Sequence, residues 1–159
     1  MARDDRAISD FVEQSAAALA GAGFPRMPAR VLMTLMVTDE PGLTARELAD
    51  YLGASAAGIS GAVRYLQTVR MVHRISQPGS RRDRYEVPEH TWYTATLGGT
   101  NPTYETIRML AARAVPAFSE PSSPGALRVQ EMSDFFAFIQ RRLPELLEEW
   151  RVSREEPAE

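Results

Sequence analysis

At 159 residues the chain is long enough for one domain, or for a small domain with helical extensions, and its 44% hydrophobic and 25% charged residues are those of an ordinary globular protein. Its apolar runs fall short of the ~20 residues that span a bilayer, the start Met1-Ala2-Arg3-Asp4-Asp5-Arg6 lacks the apolar core of a signal peptide, and the absence of cysteine excludes disulfides, thiol nucleophiles and cysteine-held metals; a cytoplasmic protein without membrane contact is expected. All 18 basic residues are arginine, and the net charge of −3 conceals an asymmetry: residues 64–84 hold six Arg against one acid, Asp83, for +5, while the remainder carries −8.

Residues 5–20 are predicted to be helical, with Asp4 and Asp5 favourable at the start and Ile8, Phe11, Val12, Ser15 and Leu19 on one stripe. Gly21-Ala22-Gly23 ends that helix. A second is predicted from about Pro25 or Pro28 to Val37, burying Val31, Leu32, Leu35 and Met36, and Asp39-Glu40-Pro41-Gly42 is a turn. Thr44-Ala45-Arg46-Glu47 is a capping box, in which the Thr hydroxyl takes the Glu47 amide while the Glu carboxylate reaches back. Leu48, Ala49 and Leu52 form the apolar face of the helix it opens. Gly53 breaks it, and Ser55 caps another helix running to about Val69 with Ile59, Val63 and Leu66 inward. Two short helices around a Gly turn, the second longer, are a helix-turn-helix signature. Met71–Ile75 and Tyr85–Val87, joined by a tip over 77–84 that contains Pro78-Gly79, read as a β-hairpin beside the second helix. The unit is a winged helix.

After the hairpin, Pro88-Glu89-His90-Thr91 starts a short helix carrying Trp92, Tyr93 and Leu97, stopped by Gly98-Gly99. Asn101-Pro102 caps a helix to Phe118, with Tyr104, Ile107, Leu110, Ala111 and Ala114 on its apolar side. Residues 120–125 form a loop. From Ala126 to about Arg151, Met132, Phe135, Phe136, Ile139, Leu143, Leu146, Leu147 and Trp150 recur at helical spacing, and Pro144 should kink the helix. Burying one such side chain is worth roughly 1.5–3 kcal/mol, and a winged core of this size cannot cover them all. A second copy is therefore expected, with Phe11, Phe135, Phe136, Ile139, Leu143, Leu147 and Trp150 at the contact of a homodimer. The expected fold is mainly α with a small antiparallel β-hairpin: an N-terminal dimerisation helix (1–23), a winged helix-turn-helix DNA-binding domain (24–88) and a C-terminal helical dimerisation region (89–159).

The outer side of the second helix-turn-helix helix should show Ser55, Ala56, Ala57, Ser60, Gly61 and Arg64. Ser55 and Ser60 can bond phosphates or base edges, Ala57 can touch a thymine methyl, and Arg64 can grip a guanine or clamp a phosphate. Arg81, Arg82 and Arg84 at the hairpin tip suit a narrow minor groove, with Asp83 orienting one of them. A basic element on an acidic body orients a protein on a polyanion, and a two-fold dimer presents two recognition helices to a palindromic site in double-stranded DNA. No enzyme, metal or cofactor is expected: His73 and His90 are isolated, and Gly98-Gly99-Thr100 lacks the strand and helix of a phosphate loop. The alternative, a winged-helix protein-protein interaction module, calls for a hydrophobic recognition face; this one is small, polar and bordered by Arg.

Leu43-Thr44, Glu47-Leu48-Ala49, Leu52-Gly53-Ala54-Ser55 and Ile59-Ser60, followed by the Arg-rich wing, resemble the MarR-type winged-helix transcriptional regulators. Gly23–Met27, Ile59–Leu66, Pro78–Tyr85 and Phe135–Phe138 look similar to the GbsR-like actinobacterial branch, and the likeness covers about residues 20–152. The resemblance implies a homodimer held by terminal helices, a recognition helix in the major groove, a wing tip at the minor groove, repression by occluding a promoter, and a small effector, for which Trp92 and Tyr93 mark a possible pocket. Two departures stand out. Asp83 is followed at once by Arg84 and Tyr85 where relatives have Asp-x-Arg, and Arg70 stands where relatives often place Gly. Left-handed backbone is unfavourable for Arg, so the recognition helix is expected to end differently.

Overall fold

The carboxylate of Asp4 accepts a hydrogen bond from the Ala7 amide at 3.0 Å and so caps helix α1 (Asp5–Gly21). The structure, a computed structural model, describes residues 4–76, 82–89 and 102–155 and falls into two compact units, residues 1–92 and 93–159. The hairpin tip at 77–81 and nearly all of the short helix predicted over 88–97 lie outside the described residues.

In the first unit α1 packs on α2 (Arg26–Val37), which also meets α3 (Ala45–Leu52) and α4 (Ala56–Thr68). α2 is the central helix because it is apolar on most of its circumference, with Ala29, Val31, Leu32 and Leu35 all buried. Val12 and Ala16 bring α1 onto it, while Phe11 stays half-exposed. Met36, expected in the core, is 44% exposed, because it sits about 100° round the helix from Leu35. Arg30 fixes this end of the unit. Its Nε and Nη2 grip the Glu13 carboxylate of α1 at 2.9 and 2.6 Å, and Nη2 also donates to the Leu52 carbonyl at 3.2 Å. A residue of α2 thus joins α1 to the last turn of α3.

The hairpin strands are β2 (His73–Ser76) and β3 (Asp83–Glu86), antiparallel with Arg74 opposite Tyr85 and Ser76 opposite Asp83. A third strand, β1 (Leu43–Thr44), joins them with Leu43 opposite Tyr85, so the sheet order is β1-β3-β2 and β3 lies in the middle. Leu48, Ile59, Leu66 and Val72 close the core beneath α4 and the sheet.

The end of α4 corrects an expectation. Arg70 does adopt the left-handed conformation, at φ +59°. Its amide donates to the Gln67 carbonyl at 3.1 Å and the Met71 amide to Leu66 at 2.9 Å, the paired bonds of a Schellman turn. Leu66 and Val72, both buried, hold the chain on each side of the turn, so burial fixes the path and the arginine accepts the strain.

The second unit is α5 (Pro102–Ala114), a 3-10 turn at Val115–Ala117 and the long helix α6 (Pro124–Glu155), which continues through Pro144. The Ser123 hydroxyl accepts from the Ala126 amide and caps α6. Tyr104 of α5 stacks on Phe136 of α6 with ring centres 5.2 Å apart, and Ala111 of α5 and Ala126, Ser133 and Leu143 of α6 are buried.

Candidate nucleic-acid interface

The local signals that build the helix-turn-helix are in place. Glu47 N–H donates to Thr44 Oγ1 at 3.2 Å and Thr44 N–H donates to Glu47 Oε2 at 2.6 Å, both halves of the capping box. Gly53 ends α3 at φ +59°, a left-handed position that glycine takes without strain. Ser55 Oγ accepts from the Gly58 amide at 3.1 Å and starts α4. Ile59, Ala62, Val63 and Leu66 turn inward, and Ser55, Ala56, Ala57, Ser60, Gly61 and Arg64 are exposed. The predicted outer face is therefore brought together on one side of one helix, with the Ser55 oxygen already accepting as a cap.

The wing divides the predicted arginines. Arg82 is exposed and Arg81 lies outside the described residues. Arg84 turns inward: its Nε and Nη2 donate to the Gly42 carbonyl at 2.9 and 2.6 Å, and Nη2 lies 3.6 Å from Glu47 Oε2. Asp83 receives Nη1 of Arg74, the residue diagonal to it in the hairpin, at 3.1 Å. Nothing in the sequence around Arg74 signals this role, and only strand register reveals the pair. Gly42 has the sequence signature of a turn and no more, yet a Cβ there would stand 2.7 Å from the Tyr85 carbonyl oxygen. Glu47 sits where these elements meet. The hydrogen bonds from the Thr44 backbone and side chain hold its carboxyl below the usual carboxylate range, and the charges of Arg84 and Arg82 act in the same direction.

In the second unit the predicted contact stripe splits in two. Leu143 is buried, Phe136 stacks on Tyr104, and Ile139 and Leu147 are half-buried. Phe135, Leu146 and Trp150 face out, each about half exposed, and so does Phe138, which the predicted stripe did not include. Trp92 and Tyr93 lie outside the described residues. Among the described residues no helix is long and apolar enough to cross a membrane, and no three His, Cys, Asp or Glu side chains gather as a metal site.

A capped helix-turn-helix followed by a hairpin, with a short strand before the first helix closing the sheet, is a winged helix. Residues 22–83 match the MarR family, and residues 90–154 match the MmpR5-like MarR family transcriptional regulators. The HTH-type transcriptional regulator MmpR5 of Mycobacterium tuberculosis (strain ATCC 25618 / H37Rv) is 26% identical over 140 residues, 88% of this chain and 84% of that one. The crystal structure of a transcriptional regulator superposes with a TM-score of 0.78 at 25% identity, covering 91% of this chain and 97% of the other. A looser likeness, with a TM-score of 0.43 and 19% identity over 69% of this chain and 91% of the other, is to Staphylococcus aureus MepR in complex with DNA. The fold is that of a winged helix, and over both matched stretches the chain is similar to transcriptional regulators of the MarR family.

Proposed function

We propose that the protein binds double-stranded DNA sequence-specifically as a homodimer, reading a palindromic operator with α4 and flanking it with the wing. The observation that carries this reading is the exposed side of α4. Ser60 and Arg64 stand beyond a buried core row of the same helix, with Ala56, Ala57 and Gly61 exposed beside Ser60 and with Arg64 opening the segment of +5 charge. Arg64 is the candidate base reader, Arg82 and Arg81 the candidates for the minor groove, and Phe135 and Trp150 the candidates for the dimer contact. Promoter occlusion follows from such binding, in the cytoplasm, and release by a small ligand near Trp92 and Tyr93 is the regulatory extension. The protein-protein alternative is disfavoured by the lack of a large apolar side chain on the outer face of α4.

Within the family we place the chain beside the GbsR-like branch, on the blocks Ile59–Leu66 and Pro78–Tyr85; the matches over 22–83 and 90–154 support the family and are silent on that branch. The test is a mobility shift with the DNA upstream of the protein's own gene against a random duplex of equal length. A shift of the first at concentrations that leave the second free supports the reading. Equal affinity for both, or none, overturns sequence-specific binding.

A further inference from the structure

We infer that Gly61 is the point at which the backbone of α4 itself seats against the floor of the DNA major groove, with no side chain between them. This rests on the DNA-binding reading of α4 given above.

Glycine is the least favourable residue for a helix interior apart from proline, so its presence in one calls for a cause. Two causes lie within a chain: a backbone conformation that other residues avoid, or a neighbour too close to admit a Cβ. Gly53 shows the first and Gly42 the second. Gly61 shows neither. It lies inside α4, its φ is not positive, and a Cβ built on it would meet nothing within 4 Å. The fold of this chain thus gives no reason for the missing side chain, and the reason lies in what the outer face of α4 meets.

The chemistry around Gly61 names that occupant. Arg64 follows one turn later on the same side, exposed and without an ion-pair partner among the described residues. Ala57 and Ser60 beside it are short enough to let an opposing surface reach the helix backbone. A major groove about 12 Å wide admits a helix of about 10–12 Å with little to spare, so one Cβ on the leading side decides how deeply the helix sits. Depth in turn decides whether Arg64 reaches the paired acceptors of a guanine or stops at the phosphates.

The test compares wild type with Gly61→Ala and Gly61→Leu, on a duplex selected from a random pool by the wild-type protein and on an unselected duplex. Removing a helix-interior glycine should raise the melting temperature of Gly61→Ala by about 2–4 °C. Its affinity for the selected duplex should fall tenfold or more, and for the unselected duplex by less than about threefold, because charge attraction to phosphate does not need the close seat. Gly61→Leu should lose more on the selected duplex. Undiminished affinity of Gly61→Ala for the selected duplex overturns the inference, even where Gly61→Leu binds poorly. Equal loss on both duplexes also overturns it. A wild-type protein that enriches no duplex from the pool overturns the DNA-binding reading instead, a failure separate from either of these.

Discussion

Arg84, in the middle strand of the sheet, grips the carbonyl oxygen of Gly42 with two donors, Nε at 2.9 Å and Nη2 at 2.6 Å. The sequence pattern places this arginine at the DNA, yet the fold directs it to the turn before the helix-turn-helix. It thereby bolts the base of the wing to the start of α3, with Glu47 3.6 Å away as a second anchor. Hydrogen bonds to charged groups contribute roughly 1.5–3 kcal/mol, and the 19% of the side chain still exposed brings the expectation to the low end of that range. Arg84→Ala should lower the urea midpoint accordingly and leave the salt slope of DNA binding unchanged. Arg82→Ala should do the reverse, flattening the slope by about one unit for each phosphate it no longer neutralises. A flattened slope for Arg84→Ala with undiminished stability would return Arg84 to the interface.

Arg70 makes a prediction of opposite sign. Left-handed backbone costs a non-glycine residue roughly 1–2 kcal/mol, whereas glycine in the unfolded chain has about 0.5–1 kcal/mol more freedom to lose. The Schellman bonds use backbone groups alone and survive the exchange. Arg70→Gly should therefore stabilise the protein by about 0.5–1 kcal/mol in chemical denaturation. Arg70→Val, β-branched at the same φ, should destabilise it. A destabilised Arg70→Gly would show that the guanidinium contributes more than the strain removes.

Glu47 sets a pH dependence. Its carboxyl titrates below the ordinary glutamate value of 4.5, chiefly through the hydrogen bonds from Thr44. For a depressed acid the stabilisation is complete above the unfolded value and disappears as pH falls through the folded one. Glu47→Gln keeps a side chain able to accept from the Thr44 amide and loses the charge that faces Arg84. Between about pH 5 and pH 3 the wild type should lose more stability than Glu47→Gln, and the two denaturation midpoints should converge. Parallel curves would remove Glu47 from the acid transition.

What could be read from the sequence follows the range of the interactions concerned. The Thr44–Glu47 box, the Gly53 stop and the Ser55 cap are interactions between residues three apart or fewer, or single backbone conformations, and each formed as predicted. β1 leaves no mark in the sequence, because two residues before a capping box carry no alternation to detect. Arg84 looks like its neighbours in the tip because its acceptor lies 42 residues away. Local preference argues against a left-handed Arg70, and burial of Leu66 and Val72 outweighs it. On α6 the apolar residues span more than one side of the helix, so periodicity alone leaves open which of them α5 covers. Phe135 and Phe136 are adjacent and about 100° apart; one faces out and the other stacks on Tyr104.

That division yields a discriminating test of the proposed dimer. Phe135, Phe138, Leu146 and Trp150 set four apolar side chains, each roughly half in solvent, on one side of α6 over about four turns, with the exposed Arg142 between Phe138 and Leu146. Exposed apolar surface of this extent marks an interface, and a two-fold partner would cover it with the same residues of the second copy. Phe136 is already stacked on Tyr104, and Leu143 is buried. Phe138→Glu with Trp150→Glu should therefore leave the helical circular-dichroism signal intact while shifting sedimentation from dimer to monomer. DNA affinity should fall with it, since two half-sites are no longer held at a fixed spacing. Leu143→Ala, which opens a cavity in a buried site, should instead cost about 2–5 kcal/mol of stability, with any drop in association following unfolding. A wild-type chain that sediments as a monomer at micromolar concentration would overturn the dimer, and so would a double variant that remains dimeric.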